Sequence, residues 1–117
     1  MSNKRPHLYI LQDQTPVPVE DALEWGAWFQ TADRIVKSDM IQGVYVSTVF
    51  LGLDRGCGWF DPQPGYKPLL FETMVLGGEM DMHQQRYPDW KEAEHGHDEV
   101  VWLVKEKLAE KNKTNFS

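Results

Sequence analysis

Cysteine is nearly absent: Cys57 is the one thiol in 117 residues. That excludes an internal disulfide and a multi-cysteine zinc site, and such usage fits a reducing compartment. Basic residues are also few, 12 Lys and Arg against 18 Asp and Glu, for a net charge of -6. Nonspecific nucleic-acid binding relies on clustered cations that displace counterions from phosphates, so this class of partner is disfavoured. The same charge is ordinary for solubility and does not by itself indicate a nucleic-acid mimic. No apolar run approaches the roughly 20 residues of a membrane-spanning helix. The basic stretch Met1 to His7 is followed only by Leu8-Tyr9-Ile10-Leu11, too short for the apolar centre of a signal peptide. The expected location is the cytoplasm. Internal repeats and low-complexity segments are missing too.

What is present is aromatic surface. Five Trp, five Phe and four Tyr supply much large apolar area for one domain of this length. A single domain over 1-117 is expected, with its ordered core over about residues 7-110 and a polar tail from Lys111. Leu8 to Leu11 predicts a short edge strand, after which Pro16 and Pro18 are expected to stop pairing. Asp21 and Glu24 have capping-box spacing. Beyond them Ala22, Trp25, Trp28, Phe29, Ala32, Ile35 and Val36 recur at helical intervals and predict a helix over residues 20-38. Asp33 falls at the margin of that stripe.

The central feature is a pair of apolar runs, residues 44-51 and 69-76, read as a strand pair at the middle of a sheet. Val44, Val46, Thr48 and Phe50 alternate with Tyr45, Ser47, Val49 and Leu51, so neither face is cleanly polar, as in a central strand. Gly77-Gly78 turns the chain, and residues 80-87 predict a further strand. Asp89, followed three residues later by Glu92, starts a second helix whose apolar face is Trp90, Ala93, Val100, Val101, Val104 and Leu108, with His97 near its centre and His95 and Trp102 nearly opposite. The expected fold class is α+β: a two-layer sandwich of a small, mainly antiparallel sheet of three or four strands with two amphipathic helices.

Residues 46-54 (Val-Ser-Thr-Val-Phe-Leu-Gly-Leu-Asp), Leu70 to Val75, Arg86-Tyr87, and the Trp90, Ala93, Gly96-His97 spacing together form a pattern. With Trp25 to Phe29 included, it resembles a family of short uncharacterised proteins of bacteriophages and prophages, over about residues 8-108. The resemblance implies a phage or prophage origin and expression in the cytoplasm of the host cell. It implies no catalytic residue. The resembling sequences carry His where Arg55 stands here, and a shorter Gly-rich connection after it.

Candidate sites follow from the chemistry of single residues. Glu72 is an ionisable group inside an apolar strand and needs a partner: Arg86 on the next strand, His97 on the helix, or a ligand. His97 on an apolar stripe suits either a general base or a core histidine with satisfied ring nitrogens. Ser47 and Thr48 lack the setting that activates a nucleophile. His95 and His97 have the wrong helical spacing for a metal, and His83 and Cys57 could join them only through tertiary structure, so no metal and no cofactor are expected. In the long connection over residues 55-66, Arg55 can meet a phosphate or carboxylate, while Trp59, Phe60 and Tyr66 can stack on a base or fill a partner's pocket. Trp102 is the exposed aromatic most suited to a subunit contact.

These residues favour a binding protein over an enzyme. The reading is a phage-encoded module that counters or modulates a host system by binding a host protein or sequestering a small anionic, nucleotide-like ligand, with a homodimer as a further possibility. One alternative is a small hydrolase or transferase using Glu72 and His97, with Arg55 or Arg86 as anion clamp. Another is an oligomeric structural or assembly protein with Trp102 at a subunit contact.

Overall fold

Alternation in residues 44-51 is realised as strand β4, Val44–Phe50, in the centre of a four-stranded antiparallel sheet. The computed structural model describes residues 8-54 and 67-114. The sheet order is β3-β4-β5-β6, with β3 at Ile35–Ile41, β5 at Phe71–Leu76 and β6 at Gln84–Tyr87. Each strand neighbours its successor in sequence. A second, two-stranded sheet joins β1, Leu8–Gln12, to β2, Thr15–Val19. The helices are α1, Ala22–Thr31, and α2, Trp90–Thr114. The α+β class is therefore as expected, with the layering carried by one helix: α2 lies across all four strands of the larger sheet, whereas α1 packs on the β1-β2 hairpin. No helix of the described residues is long and apolar enough to cross a membrane.

Three expectations are corrected. The first helix ends at Thr31, and residues expected to continue it form the edge strand β3. Ile35 and Val36 satisfy a helical stripe but are β-branched and suit a pleated surface. Asp33 breaks the helix direction by accepting a hydrogen bond from the Ile35 N–H at 3.1 Å. The turn Gln42-Gly43, with φ of 48° and 85°, then closes a tight hairpin onto β4.

The second correction concerns Pro16 and Pro18, which lie inside β2 and do not stop its pairing. They oppose Leu11 and Tyr9, at alternate positions of the register, so their missing N–H groups fall on the strand's outer side. The Tyr9 N–H, opposite Pro18, points away as well and donates to the Gly52 carbonyl at 2.9 Å. The third concerns residues 80-87: only Gln84–Tyr87 is strand, because Gly77-Gly78 opens a compact turn in which the Asp81 carboxylate accepts from the Gly77 N–H at 2.7 Å.

Trp25 fastens the small sheet to the large one. Its Nε1–H donates to both the Tyr9 and Gly52 carbonyls, each at 3.0 Å. Gly52 has φ of 75°, which strains any side chain there, and a Cβ would also lie tightly, at 3.3 Å, against the Tyr9 oxygen. Arg34 lies over the Phe29 ring at 3.9 Å and donates to the Phe50 carbonyl at 3.1 Å. Trp28 meets Phe50 edge to face at 5.9 Å.

Beneath α2 the core has three layers. At one end Val44, Val46, Val75, Val100 and Val104 form an apolar cluster; at the other are Phe50, Leu70, Phe71, Tyr87 and Ala93. Between them, Thr48, Thr73 and His97 are fully buried. As expected, α2 is started by Asp89, whose carboxylate accepts from the Glu92 N–H at 2.8 Å.

Candidate functional site

The polar middle layer is a continuous hydrogen-bonded chain. Cross-strand pairing sets Thr48 directly opposite Thr73, and their hydroxyls meet at 2.5 Å. His97 descends from α2 onto this pair with Nδ1 at 2.7 Å from Thr48 Oγ1, and its Nε2 lies 2.7 Å from Asp39 Oδ2 on edge strand β3. A carboxylate accepts but cannot donate, so the Nε2 proton goes to Asp39. In the neutral imidazole Nδ1 then accepts from the Thr48 hydroxyl, which itself accepts from Thr73. Tyr87 adjoins this layer. Burial pushes its hydroxyl pKa up, the Thr73 hydroxyl opposes that shift, and the charge of Glu99 adds to it. Its Oη is buried without a hydrogen bond of acceptable geometry.

A hydroxyl, an imidazole and a carboxylate in series resemble a nucleophile, base and orienting acid. Burial decides against that chemistry here. Thr48 has no exposed surface, so a substrate carbon cannot reach its oxygen; in this series only Asp39 faces solvent. His97 is therefore the satisfied core histidine of the two alternatives that its position allowed.

Glu72 takes Arg86 as its partner. The two are directly opposed on β5 and β6, and Arg86 Nε lies 3.0 Å from Glu72 Oε2. Side-chain alternation puts Glu72 on the sheet face opposite Thr73, and so away from α2 and His97. A catalytic pair of Glu72 and His97 is thereby ruled out: the sheet separates them. Arg55, Trp59, Phe60 and Tyr66 lie outside the described residues. Trp102 is 59% exposed on the outer side of α2, beside Leu103. His83 and His95 are exposed, and the described residues contain no group of three or more side chains able to hold a metal.

The face of the large sheet that carries Glu72 is the more informative surface. Met40 and Ile35 of β3, Tyr45 and Val49 of β4, and Met74 and Leu76 of β5 share it, as the registers require. Met40 is 66% exposed and Ile35 52%. Among the described residues no helix or strand packs against it. Assigning residues 35-38 to a helix hid this face at the sequence level. Gln42-Gly43, between Met40-Ile41 and Val44-Tyr45-Val46, was the available hairpin signal.

Comparison with family models, with curated proteins and with solved structures finds no match. Geometry alone must carry the functional reading. An antiparallel sheet with one face on a helix and the other partly apolar and, among the described residues, not covered by a helix or strand can add a layer only from another molecule or another segment. The footprint, four strands at about 4.8 Å spacing by six residues at about 3.4 Å, is roughly 400 Å². A stable interface takes about 800 Å² per partner, so this face alone supports weak association unless its rim joins in.

Proposed function

We propose that this chain is a non-enzymatic protein-binding module of phage or prophage origin that modulates a host system by docking a host protein on the open face of its four-stranded sheet. The observation that carries the reading is the row Met40, Tyr45 and Leu76 across the strands, with Met40 and Leu76 exposed and Ile35 exposed at the far end of β3, on a sheet whose other face is filled by α2. Closure of the Thr48, His97 and Asp39 series to substrate supports binding over catalysis. Origin and host rest on the sequence resemblance. Methionine suits such a surface because its flexible thioether adapts to varied partner shapes.

A second reading uses the same face for self-association. The Glu72 and Arg86 charges cancel there, and molecules that each carry -6 can approach most closely through a neutral patch. Native mass spectrometry of the pure protein, then of the protein cross-linked in bacterial extract, separates the two. Wild type should retain one stoichiometric host partner, and Met74→Glu should lose it while keeping its circular dichroism spectrum. A dimer abolished by Met74→Glu favours the second reading. Equal capture by wild type and variant rejects the face as the binding site.

A further inference from the structure

At the opposite end of the molecule from Trp90, α2 outruns the sheet. Its 25 residues rise about 37 Å at 1.5 Å each, whereas the seven residues of β4 span about 24 Å. The overhanging turns and the β5-β6 connection enclose a cleft of 510 Å³. Its floor is Val44, Val104, Met80 and Leu108, continuous with the valine end of the core. Lys107 and Lys111, one turn apart on the same helix face, stand at its wall, with Glu79 from the connection also lining it. Neither lysine has an ion-pair partner among the described residues, although the chain carries an excess of acids.

We propose that this cleft binds a small monoanionic amphiphile, a single acyl chain with a carboxylate head. The volume lies within the usual range for small-molecule sites, and the apolar floor offers the body of such a ligand a continuation of the core. The head group meets two ammonium groups against one carboxylate, a net charge of +1 at the mouth that one anion neutralises. A larger, fully polar anion would leave the valine floor uncovered. A bilayer would not fit, since the cleft accepts one chain. The site is independent of the open sheet face.

The probe is decanoate, kept below its micelle concentration, with decanol as the uncharged control, titrated by calorimetry against the full chain. Decanoate should bind one to one and about tenfold more tightly than decanol, the ratio that one charge-assisted contact of about 1.4 kcal/mol supplies. The double substitution Lys107→Ala and Lys111→Ala should bring decanoate to the decanol level and leave decanol unchanged. Glu79→Gln should strengthen decanoate severalfold, a change opposite in sign to any loss of folding. Met74→Glu should alter neither. Three results would overturn the site: no saturable decanoate binding, equal decanoate binding by the lysine variant, or binding to anionic vesicles without binding of free decanoate.

Discussion

Gly96 sits in the interior of α2, where glycine costs about 1 kcal/mol relative to alanine, and the reason is Tyr87. A Cβ on residue 96 would lie 2.1 Å from Tyr87 Cε1, 2.2 Å from Cζ and 2.3 Å from Oη. Favourable contact needs about 3.5 Å, so ring or helix must retreat by more than about 1 Å. The ring has little room: Tyr87 is buried, and its strand is pinned by pairing Tyr87 with Phe71. Overpacking of this kind costs about 3 kcal/mol at the upper end of its usual range. After the gain in helix propensity, Gly96→Ala should destabilise by about 2 kcal/mol, a fall of roughly 8 °C in Tm for a domain of this size. Urea unfolding followed by circular dichroism measures it. The decisive control is the Tyr87→Ala background, in which the clash is gone and Gly96→Ala should stabilise by up to about 1 kcal/mol. If Gly96→Ala is neutral in the parent, or equally damaging in both backgrounds, Tyr87 is not the reason for the glycine.

Tyr87→Phe should hold or raise stability at neutral pH by up to about 1 kcal/mol, because the buried hydroxyl has no hydrogen bond of good geometry to lose, its approach to Thr73 being a weak one. The raised folded pKa means that Tyr87's contribution is constant below the unfolded value of 10.0 and is lost as pH rises above it; that alkaline decline should be absent in Y87F unfolding curves. Asp98 shows the reverse sign: its hydrogen bond from Lys37 lowers its pKa, so its contribution exists above 3.8 and disappears as pH falls through the lower folded value. Both side chains are well exposed, so Asp98→Asn should cost less than about 1 kcal/mol at neutral pH, with the difference fading in high salt and in acid. Thr48→Val should cost about 3 kcal/mol by leaving His97 Nδ1 and the Thr73 hydroxyl without their partner, while the joint change Thr48→Val, Thr73→Val and His97→Leu should cost less than Thr48→Val alone; equilibrium unfolding of the two variants tests the ordering.

Much of the architecture was legible because local signals agreed with the tertiary outcome. Asp89 and Glu92 marked the start of α2, and Ala93, His97, Val100 and Val104 were already its inward stripe. The residues 35-38 misled because Ile35 and Val36 satisfy a helical period as well as a strand, and only the pairing of Ile41 with Val44 across Gln42-Gly43 decides between them. Glu72 has three partners open to it in the sequence, Arg86, His97 or a ligand, and the choice of Arg86 over His97 depends on the face each strand presents. That is a matter of parity in the register, which residue types alone do not reveal. Asp39 could not be found for a related reason: its bond to His97 joins residues 58 positions apart through a strand that the helical assignment had removed.

The middle layer of the core answers a problem that β4 itself creates. Because Tyr45 and Val49 are apolar as well as Val44, Val46 and Phe50, binary patterning does little to choose which face of β4 turns inward. A slip of one residue relative to β5 would replace one set of partly apolar side chains with another, at modest hydrophobic cost. It would also pull the Thr48 hydroxyl from Thr73 and His97, leaving buried polar groups unpaired at about 1-3 kcal/mol each. Thr48, Thr73 and His97 therefore discriminate between registers more sharply than the valines around them. The same layer fixes α2 along its axis, since His97 must reach Thr48 with one nitrogen and Asp39 with the other. Its role is to select one arrangement, and that holds Met40 and Met74 on the outward face of the sheet in a defined register, as the proposed docking requires.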